Sequence, residues 1–515
     1  MSSCRRSFVH ISASPDWTNT PAMESIESTG PSAKQCDTEN GALLLRTVSH
    51  QEMEIHEDVE NIEFEQELSA PDGGWGWLVV FGSLMIHIIL FGIEKSSGIL
   101  LKKFKEKFHE SSSATAWVAT LPAGLRLMFA PICSMLINKY QFRPAVIAGA
   151  VLMSVSLLLT AFSTNLTLTF GSFAIIGGIG ACLVYTPSVV IVGRYFNMRR
   201  GLAVGIATSS FGSFLFPTLI EFLFDYFGFV GAFLMLAGIA LNMMVFGSVF
   251  RPLKLLEPPK SKTICLNDKE TLSSCVVKED KTGGLTPPLL LRRHSSSSYF
   301  CSKTCTSLCN YKGNLIGILG NYRFTSFCIA ILMFSIAFHS AYAFIPLYAV
   351  HIGIDDRQST YIIAVTILAD GIGRIGIGAV LDIRCIKQYR IMLYSLTLIL
   401  VGVVSITIPS ARTLTQLGIV CSLYGILMGG VISQKSVIVV DILGVKKLAN
   451  AFGILSFFQG IGVFIGPPVS GLLRDMKGDY SDGFYFGGGA TVTGAFIFTI
   501  ANIIHILKTK HFNST

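Results

Sequence analysis

Charge is scarce in this sequence. Lysine, arginine, aspartate and glutamate make up only 14% of the 515 residues, while hydrophobic residues make up 51%. Ordinary soluble domains carry about 25% charged residues, so a water-soluble globule is excluded. No cleavable secretory leader is expected either. The first seventy residues are polar, hold no long apolar run and end in an acidic stretch containing Glu52, Glu54, Glu57, Asp58, Glu60, Glu63, Glu65 and Glu67. That acidity argues against a mitochondrial transit peptide, and residues 1–70 read as a disordered acidic tail. Cysteine is present, but a disulfide framework is not: Cys133, Cys182, Cys328 and Cys421 stand singly inside apolar runs, where a small buried hydrophobe is the expected role. Cys301, Cys305 and Cys309 lie four apart on the linker without the matching second ligand pair that zinc asks for, so no metal site is expected and reversible lipidation is the other reading. Phosphate loops, catalytic cysteine–histidine pairs and metal-binding helices are absent from the sequence, so no enzyme and no cofactor is expected.

What is there is apolar and periodic. Twelve runs of sufficient length to cross about 30 Å of hydrocarbon fall near 74–101, 114–137, 144–164, 167–193, 200–223, 228–250, 325–350, 359–381, 389–410, 414–443, 447–473 and 483–507. Glycines within them, as at Gly177-Gly178-Ile179-Gly180 and Gly371-Ile372-Gly373, suit close helix packing. The polar segment 251–324 divides the runs six and six. Lysine and arginine number about 24 in one set of alternate loops and about 8 in the other, which places both termini and the 251–324 linker in the cytoplasm. Lys102, Lys103, Lys105 and Lys107, on the outer side, break the pattern locally. The net charge of +8 therefore reports topology, and no nucleic-acid partner is implied. The expected fold is an all-α membrane protein of twelve transmembrane helices in two six-helix bundles, 71–250 and 325–507, with a short cytoplasmic tail over 508–515.

The two halves echo each other weakly: Leu136-Ile137-Asn138-Lys139 follows the second run, and Val380-Leu381-Asp382-Ile383-Arg384 follows the eighth. More specific is Pro71-Asp72-Gly73-Gly74-Trp75-Gly76-Trp77, which opens the first run. Tyr195-Phe196-Asn197-Met198-Arg199-Arg200-Gly201-Leu202-Ala203-Val204-Gly205-Ile206-Ala207 opens the fifth, and Arg251-Pro252-Leu253 closes the sixth. With these motifs the chain resembles the monocarboxylate transporter family of the major facilitator superfamily over roughly residues 70–510. The resemblance implies two bundles that rock about a site near the midplane of the plasma membrane. It also implies a small organic anion or zwitterion and a proton as partners, with a single-span ancillary glycoprotein for some members. Trp75 and Trp77 suit an aromatic belt or a gate, and Arg199 an ordinary cytoplasmic charge.

An ionisable group inside a bilayer costs roughly 2.5 to 3.5 kcal/mol, so each one needs a reason. Asp370 and Arg374 lie four apart in the eighth run and can pair on one helical face. Counted from residue 359, they sit roughly 17 and 22 Å along the helix. A purely structural ion pair is the plainer alternative. Lys95, roughly 30 Å up the first helix, reaches a cavity or snorkels to the outer headgroups. The resemblance implies that Lys95 and Asp370 exchange a proton during transport and that Arg374 holds the substrate carboxylate. A guanidinium suits that grip because it stays charged and is bidentate.

Relative to the small-acid carriers of that family, Phe91 replaces a tyrosine, Val204 an asparagine, Ser436 a phenylalanine and Arg126 a nonpolar residue, and Lys435 adds an intramembrane cation. Phe91, Arg126, Lys435 and Ser436 thus join Arg374 as candidate substrate-binding residues, and they point away from lactate and pyruvate toward a larger or more polar carboxylate. Snorkelling is the alternative for Lys435, and snorkelling or a bond to a helix carbonyl for Arg126. Glu94, turned by about 100° from Lys95, is expected at the outer interface, and His87 and His339 in helix contacts. The leading function is a proton-coupled secondary carrier. Its rivals are an uncoupled facilitative carrier of an amino-acid-like or other polar solute and a non-transporting solute sensor.

Overall fold

The computed structural model describes residues 72–109, 112–209, 211–251 and 317–512. The expected tail over 1–70 and nearly all of the linker, with Cys301, Cys305 and Cys309, lie outside the described residues. The described residues all fall in one compact unit. Among the described residues there is helix and no strand, as a lipid solvent demands of a chain whose backbone must satisfy its own hydrogen bonds. The longer helices are α1 (Trp75–Lys95), α2 (Ser97–Phe108), α3 (Ser112–Met128), α4 (Ala130–Tyr140), α5 (Phe142–Ala161), α6 (Gly177–Tyr195) and α7 (Arg200–Thr208). After these come α8 (Phe216–Ser248), α9 (Tyr322–His351), α10 (Asp356–Leu381), α11 (Arg390–Thr407), α12 (Leu414–Leu443), α13 (Leu448–Lys477) and α14 (Ser481–Phe512).

Ten helical stretches among the described residues are long and apolar enough to cross a membrane. One of them, over 200–248, has 49 residues, about twice what a crossing needs. It turns back at Gly228, where φ is 63°, a backbone region that glycine enters without steric cost. The packing confirms the reversal: Phe216 lies against Gly92 late in α1, whereas the Phe246 carbonyl lies against Gly82 nearer its start. This stretch is therefore two crossings. Another comes from the pair Leu121–Met128 and Ala130–Tyr140, bent by 51° where Pro131 opens α4. The result is the twelve-crossing, two-bundle fold, six crossings on each side of the linker.

The breaks depart from the uniform runs expected from hydropathy. The first run ends at Lys95, where the Ser96 hydroxyl turns back to donate to the Gly92 carbonyl at 2.8 Å. Beyond it, α2 carries Lys102, Lys103, Lys105 and Lys107. Lys103 reaches Asp225 at 3.4 Å, and the Lys107 ammonium sits 3.6 Å from the centre of the Phe229 ring. Those contacts hold two of the four charges locally. At the far end, α14 continues helically to Phe512, past residue 507.

The two halves are hydrogen-bonded to each other on the face where α1 begins, called here the terminal face. Ser134 Oγ donates to the Ala449 carbonyl at 2.7 Å, and Asn138 Nδ2 to Asn450 Oδ1 at 2.6 Å. Within the second half, α10 and α12 approach to backbone contact: a methyl added at Gly373 would strike the Ile426 carbonyl, and one at Gly429 the Asp370 carbonyl. This packing seats Asp370 and Arg374 deep between helices.

Candidate functional site

The site is built outward from α10. Asp370 and Arg374 are 2% and 3% exposed, and helical spacing stacks one over the other. Arg374 Nε donates to Asp370 Oδ1 at 3.0 Å and Nη2 to Oδ2 at 2.8 Å, a fork-on-fork pair. The remaining terminal nitrogen, Nη1, donates to the Thr208 carbonyl. Thr208 ends α7, where helix carbonyls lack intrahelical partners. One guanidinium thus joins a carboxylate of the second half to a backbone acceptor of the first.

Aromatic rings separate this pair from two further cations. The Phe91 ring centre is 5.7 Å from the guanidinium carbon of Arg374 and 5.2 Å from that of Arg126. Tyr185 lies 4.5 Å from Arg126 and 5.6 Å from the Lys435 ammonium. His87 packs on both rings, 5.5 Å from Phe91 and 5.7 Å from Tyr185, and Phe452 closes over Lys435 at 5.2 Å. The structure therefore brings Phe91, Arg126, Arg374, Lys435 and Asp370 into one cluster. Lys95 belongs to its electrostatic surroundings, acted on by Asp370, Arg374 and Glu94. Ser436 is buried with its hydroxyl unpartnered, and among the described residues no bond ties it to the cluster.

Several sequence-based alternatives give way here. Lys435 does not snorkel: it is 2% exposed, and its ammonium donates to Gln459 Oε1 in α13. Nor does Lys95 reach the headgroups, because its Nζ is buried and without a hydrogen-bond partner. Glu94, expected at the outer interface, instead forms an ion pair with Arg126 at 3.1 Å. Burial on one flank and a bundled neighbour on the other let adjacent residues 94 and 95 both face inward. Glu94 and Arg126 line a cavity of about 40 Å³ with Leu90, Pro122 and Phe173. Arg126 is thus neutralised by Glu94 rather than being a free extra cation.

The terminal face holds a second cluster that sequence reasoning missed. Asp72 accepts from the backbone N–H groups of Asn197 at 2.7 Å and Met198 at 2.9 Å. Trp75 Nε1 donates to the Val249 carbonyl at 3.0 Å, Trp77 packs edge-on against Phe196 at 5.1 Å, and the Tyr195 hydroxyl donates to the Arg251 carbonyl at 2.8 Å. The three motifs, far apart in sequence, clasp one another. Arg200 is buried and its Nε donates to the carbonyls of Gly193 and Phe196, so it staples the turn, while Arg199 is exposed. The only signal in sequence was the co-occurrence of motifs at the same end of their runs.

Across the halves, Asp382 caps the start of α7: its carboxylate accepts from Gly201 N at 3.0 Å and Leu202 N at 2.8 Å, and Arg390 holds it at 2.9 Å. A carboxylate at a helix N-terminus meets unsatisfied N–H groups and the positive end of the dipole. Asp382→Asn keeps one acceptor and loses the charge, so the terminal face is expected to open more often. A Ser134→Cys probe, buried behind the Ala449 contact, should then react with a permeant thiol reagent several-fold faster in a background cleared of native cysteines. An unchanged rate would remove Asp382 from the closure.

Chemically, two cations of the central cluster have carboxylate partners and two do not. Arg374 pairs with Asp370 and Arg126 with Glu94. Lys435 bonds to a neutral amide and Lys95 has no hydrogen-bond partner. The surplus is positive, which complements an anionic group, and the aromatic walls supply apolar contact for its organic part.

Residues 80–467 match the family model of the Major Facilitator Superfamily. Among curated proteins, the chain is 29% identical to Monocarboxylate transporter 9 of Pongo abelii, covering 84% of this chain and 94% of the relative. It is 27% identical to Monocarboxylate transporter 12 of Mus musculus, with 85% and 88% covered. Among solved structures, the E. coli fucose:proton symporter aligns with a TM-score of 0.53 at 14% identity, covering 82% of this chain and 99% of that one.

Proposed function

The chain belongs to the monocarboxylate transporter family of the major facilitator superfamily, and from that premise we propose that it moves a monocarboxylate or related organic solute by alternating access, with a proton. The observation that carries this reading is the Asp370–Arg374 pair, buried beside a lysine that has no hydrogen-bond partner. Arg374 is the grip for the substrate carboxylate, since its fork already fits one in Asp370. Asp370, released from that grip, takes the proton in exchange with Lys95. Lys435, Arg126, Phe91 and Ser436 shape the remainder of the pocket. An anion entering with a proton moves no net charge, which frees the cycle from the membrane potential.

A second reading keeps the carrier and drops the proton. Glu94 places a carboxylate in the same cluster, and a zwitterion could satisfy Glu94 with its ammonium group while a cation takes its carboxylate. Uptake into proteoliposomes of a labelled panel of short monocarboxylates, ketone bodies, aromatic amino acids and zwitterions, at two external pH values, separates the readings. Proton-coupled uptake is expected to rise as external pH falls. A flat profile supports the facilitative carrier, and bound ligand without counterflow the sensor.

The terminal face is the cytoplasmic one in this proposal, and the plasma membrane its site. Epitope tags at the N-terminus and beside Ser296 are expected to be accessible to antibody only after permeabilisation. Labelling of either tag on intact cells would invert the orientation.

A further inference from the structure

His87 is fully buried in α1, at 0% exposure, against Phe91 and Tyr185. Its Nδ1 lies 2.7 Å from the Ser83 carbonyl oxygen and 3.4 Å from Ser83 Oγ. That hydroxyl spends its own proton on the Ser188 carbonyl at 3.1 Å, so both groups facing Nδ1 are acceptors. Nδ1 therefore carries the proton, and in the neutral ring Nε2 presents a bare lone pair. Nε2 is buried and has no hydrogen-bond partner. The two rings against which the imidazole packs are themselves flanked by cations, Phe91 by Arg374 at 5.7 Å and Arg126 at 5.2 Å, and Tyr185 by Lys435 at 5.6 Å. An imidazolium there would face three positive charges, whereas a neutral acceptor does not.

Buried acceptors in folded proteins are nearly always satisfied. Each charged neighbour named is held by another acceptor and none donates to Nε2: Arg374 is on Asp370 and Thr208, Arg126 on Glu94, and Lys435 on Gln459. With its nearest cations turned to other acceptors, Nε2 is open to a donor that enters the cluster. We propose that His87 Nε2 accepts a hydrogen bond from a hydroxyl or N–H group carried near the carboxylate of the transported solute, making His87 a specificity-determining residue for donor-bearing carboxylates over their keto analogues. The inference rests on the carrier reading above and narrows its substrate class. A keto acid presents a carbonyl oxygen where the donor should be, and two lone pairs then face each other. Discrimination by a site built to bond a substrate donor is steeper than discrimination by shape alone.

The test compares pairs that differ only in donor against carbonyl: lactate with pyruvate, 3-hydroxybutyrate with acetoacetate, and phenyllactate with phenylpyruvate. Affinity is read by thermal shift of the purified full chain in detergent and by inhibition of uptake in proteoliposomes. Wild type is expected to favour the donor-bearing member of the best-bound pair by about ten-fold, the scale of one hydrogen bond and its unsatisfied alternative. His87→Leu should bring that ratio close to one with the affinity for the keto acid changed less than about three-fold. His87→Gln, which supplies an amide oxygen, should retain part of the preference. A merely structural histidine would lower both members of a pair alike. A wild-type ratio near one, or a ratio unchanged in His87→Leu, overturns the proposal and leaves the carrier reading intact. Should His87→Leu fail to fold, the wild-type ratio and His87→Gln still decide. Binding of none of the six acids overturns this inference, while the carrier reading is decided separately by the uptake panel.

Discussion

Uptake by an Arg374→Lys variant is expected to show a KM raised about ten- to a hundred-fold, with delivery to the membrane nearly unchanged. Three nitrogens of Arg374 are engaged: two on the oxygens of Asp370 and one on the Thr208 carbonyl. An ammonium is a point charge on a flexible stem and cannot span both oxygens in one plane. Charge is kept, so the buried Asp370 is not left uncompensated and the fold should stand. What is lost is the charge-assisted fork, worth about 1.5 to 3 kcal/mol, which at about 1.4 kcal/mol per decade is the stated change in affinity. Initial rates of labelled uptake, normalised to surface-biotinylated protein, supply the measurement. Kinetics identical to wild type would take Arg374 out of the solute site.

Asp370→Asn is expected to abolish pH-driven net uptake while exchange of internal for external solute persists. The amide mimics a permanently protonated carboxyl, and exchange does not require the proton to leave. The competing outcome is structural. Arg374 is 3% exposed, and removing its counter-charge from a buried pair costs about 3 to 5 kcal/mol, enough to unfold or retain many proteins of ordinary stability. A double variant distinguishes the two: Asp370→Asn with Arg374→Gln removes both charges, so surface delivery returns if the loss was one of charge balance. A well-delivered Asp370→Asn protein with wild-type pH dependence would defeat the proton role of Asp370 and shift belief to the uncoupled carrier.

Of the site, the sequence exposed the residue types and hid most of the partnerships. Asp370 and Arg374 could be paired in advance because one helix dictates an i, i+4 contact. Arg126 and Glu94 could not. They lie 32 positions apart on α3 and α1, and a helix periodicity gives direction about its own axis without saying which neighbour stands there. The same limit put Lys435 at the headgroups in one reading, when Gln459, 24 positions on in the next helix, was waiting for it. His87 was legible only as an isolated histidine, since the acceptors that assign its tautomer are a carbonyl one turn back and a serine whose proton goes to α6.

Hydropathy alone determined that the chain is a multi-pass helical membrane protein with six crossings on each side of a polar linker, because a bilayer accepts only long apolar helices and charges each intramembrane ion a toll of kilocalories. It also singled out the few ionisable residues that had to be explained. Only the tertiary structure decided where the runs break, at Ser96, before Pro131 and at Gly228. It alone decided that Asp72, Trp75 and Trp77 clasp the turn over 195–198, that Asp382 reaches across the halves to cap α7, and which cations keep no carboxylate. The physical reason is one of range. Burial in lipid and helix formation depend on residues within a few turns of one another, whereas ion pairing and capping across helices depend on which faces the packed bundle turns toward each other.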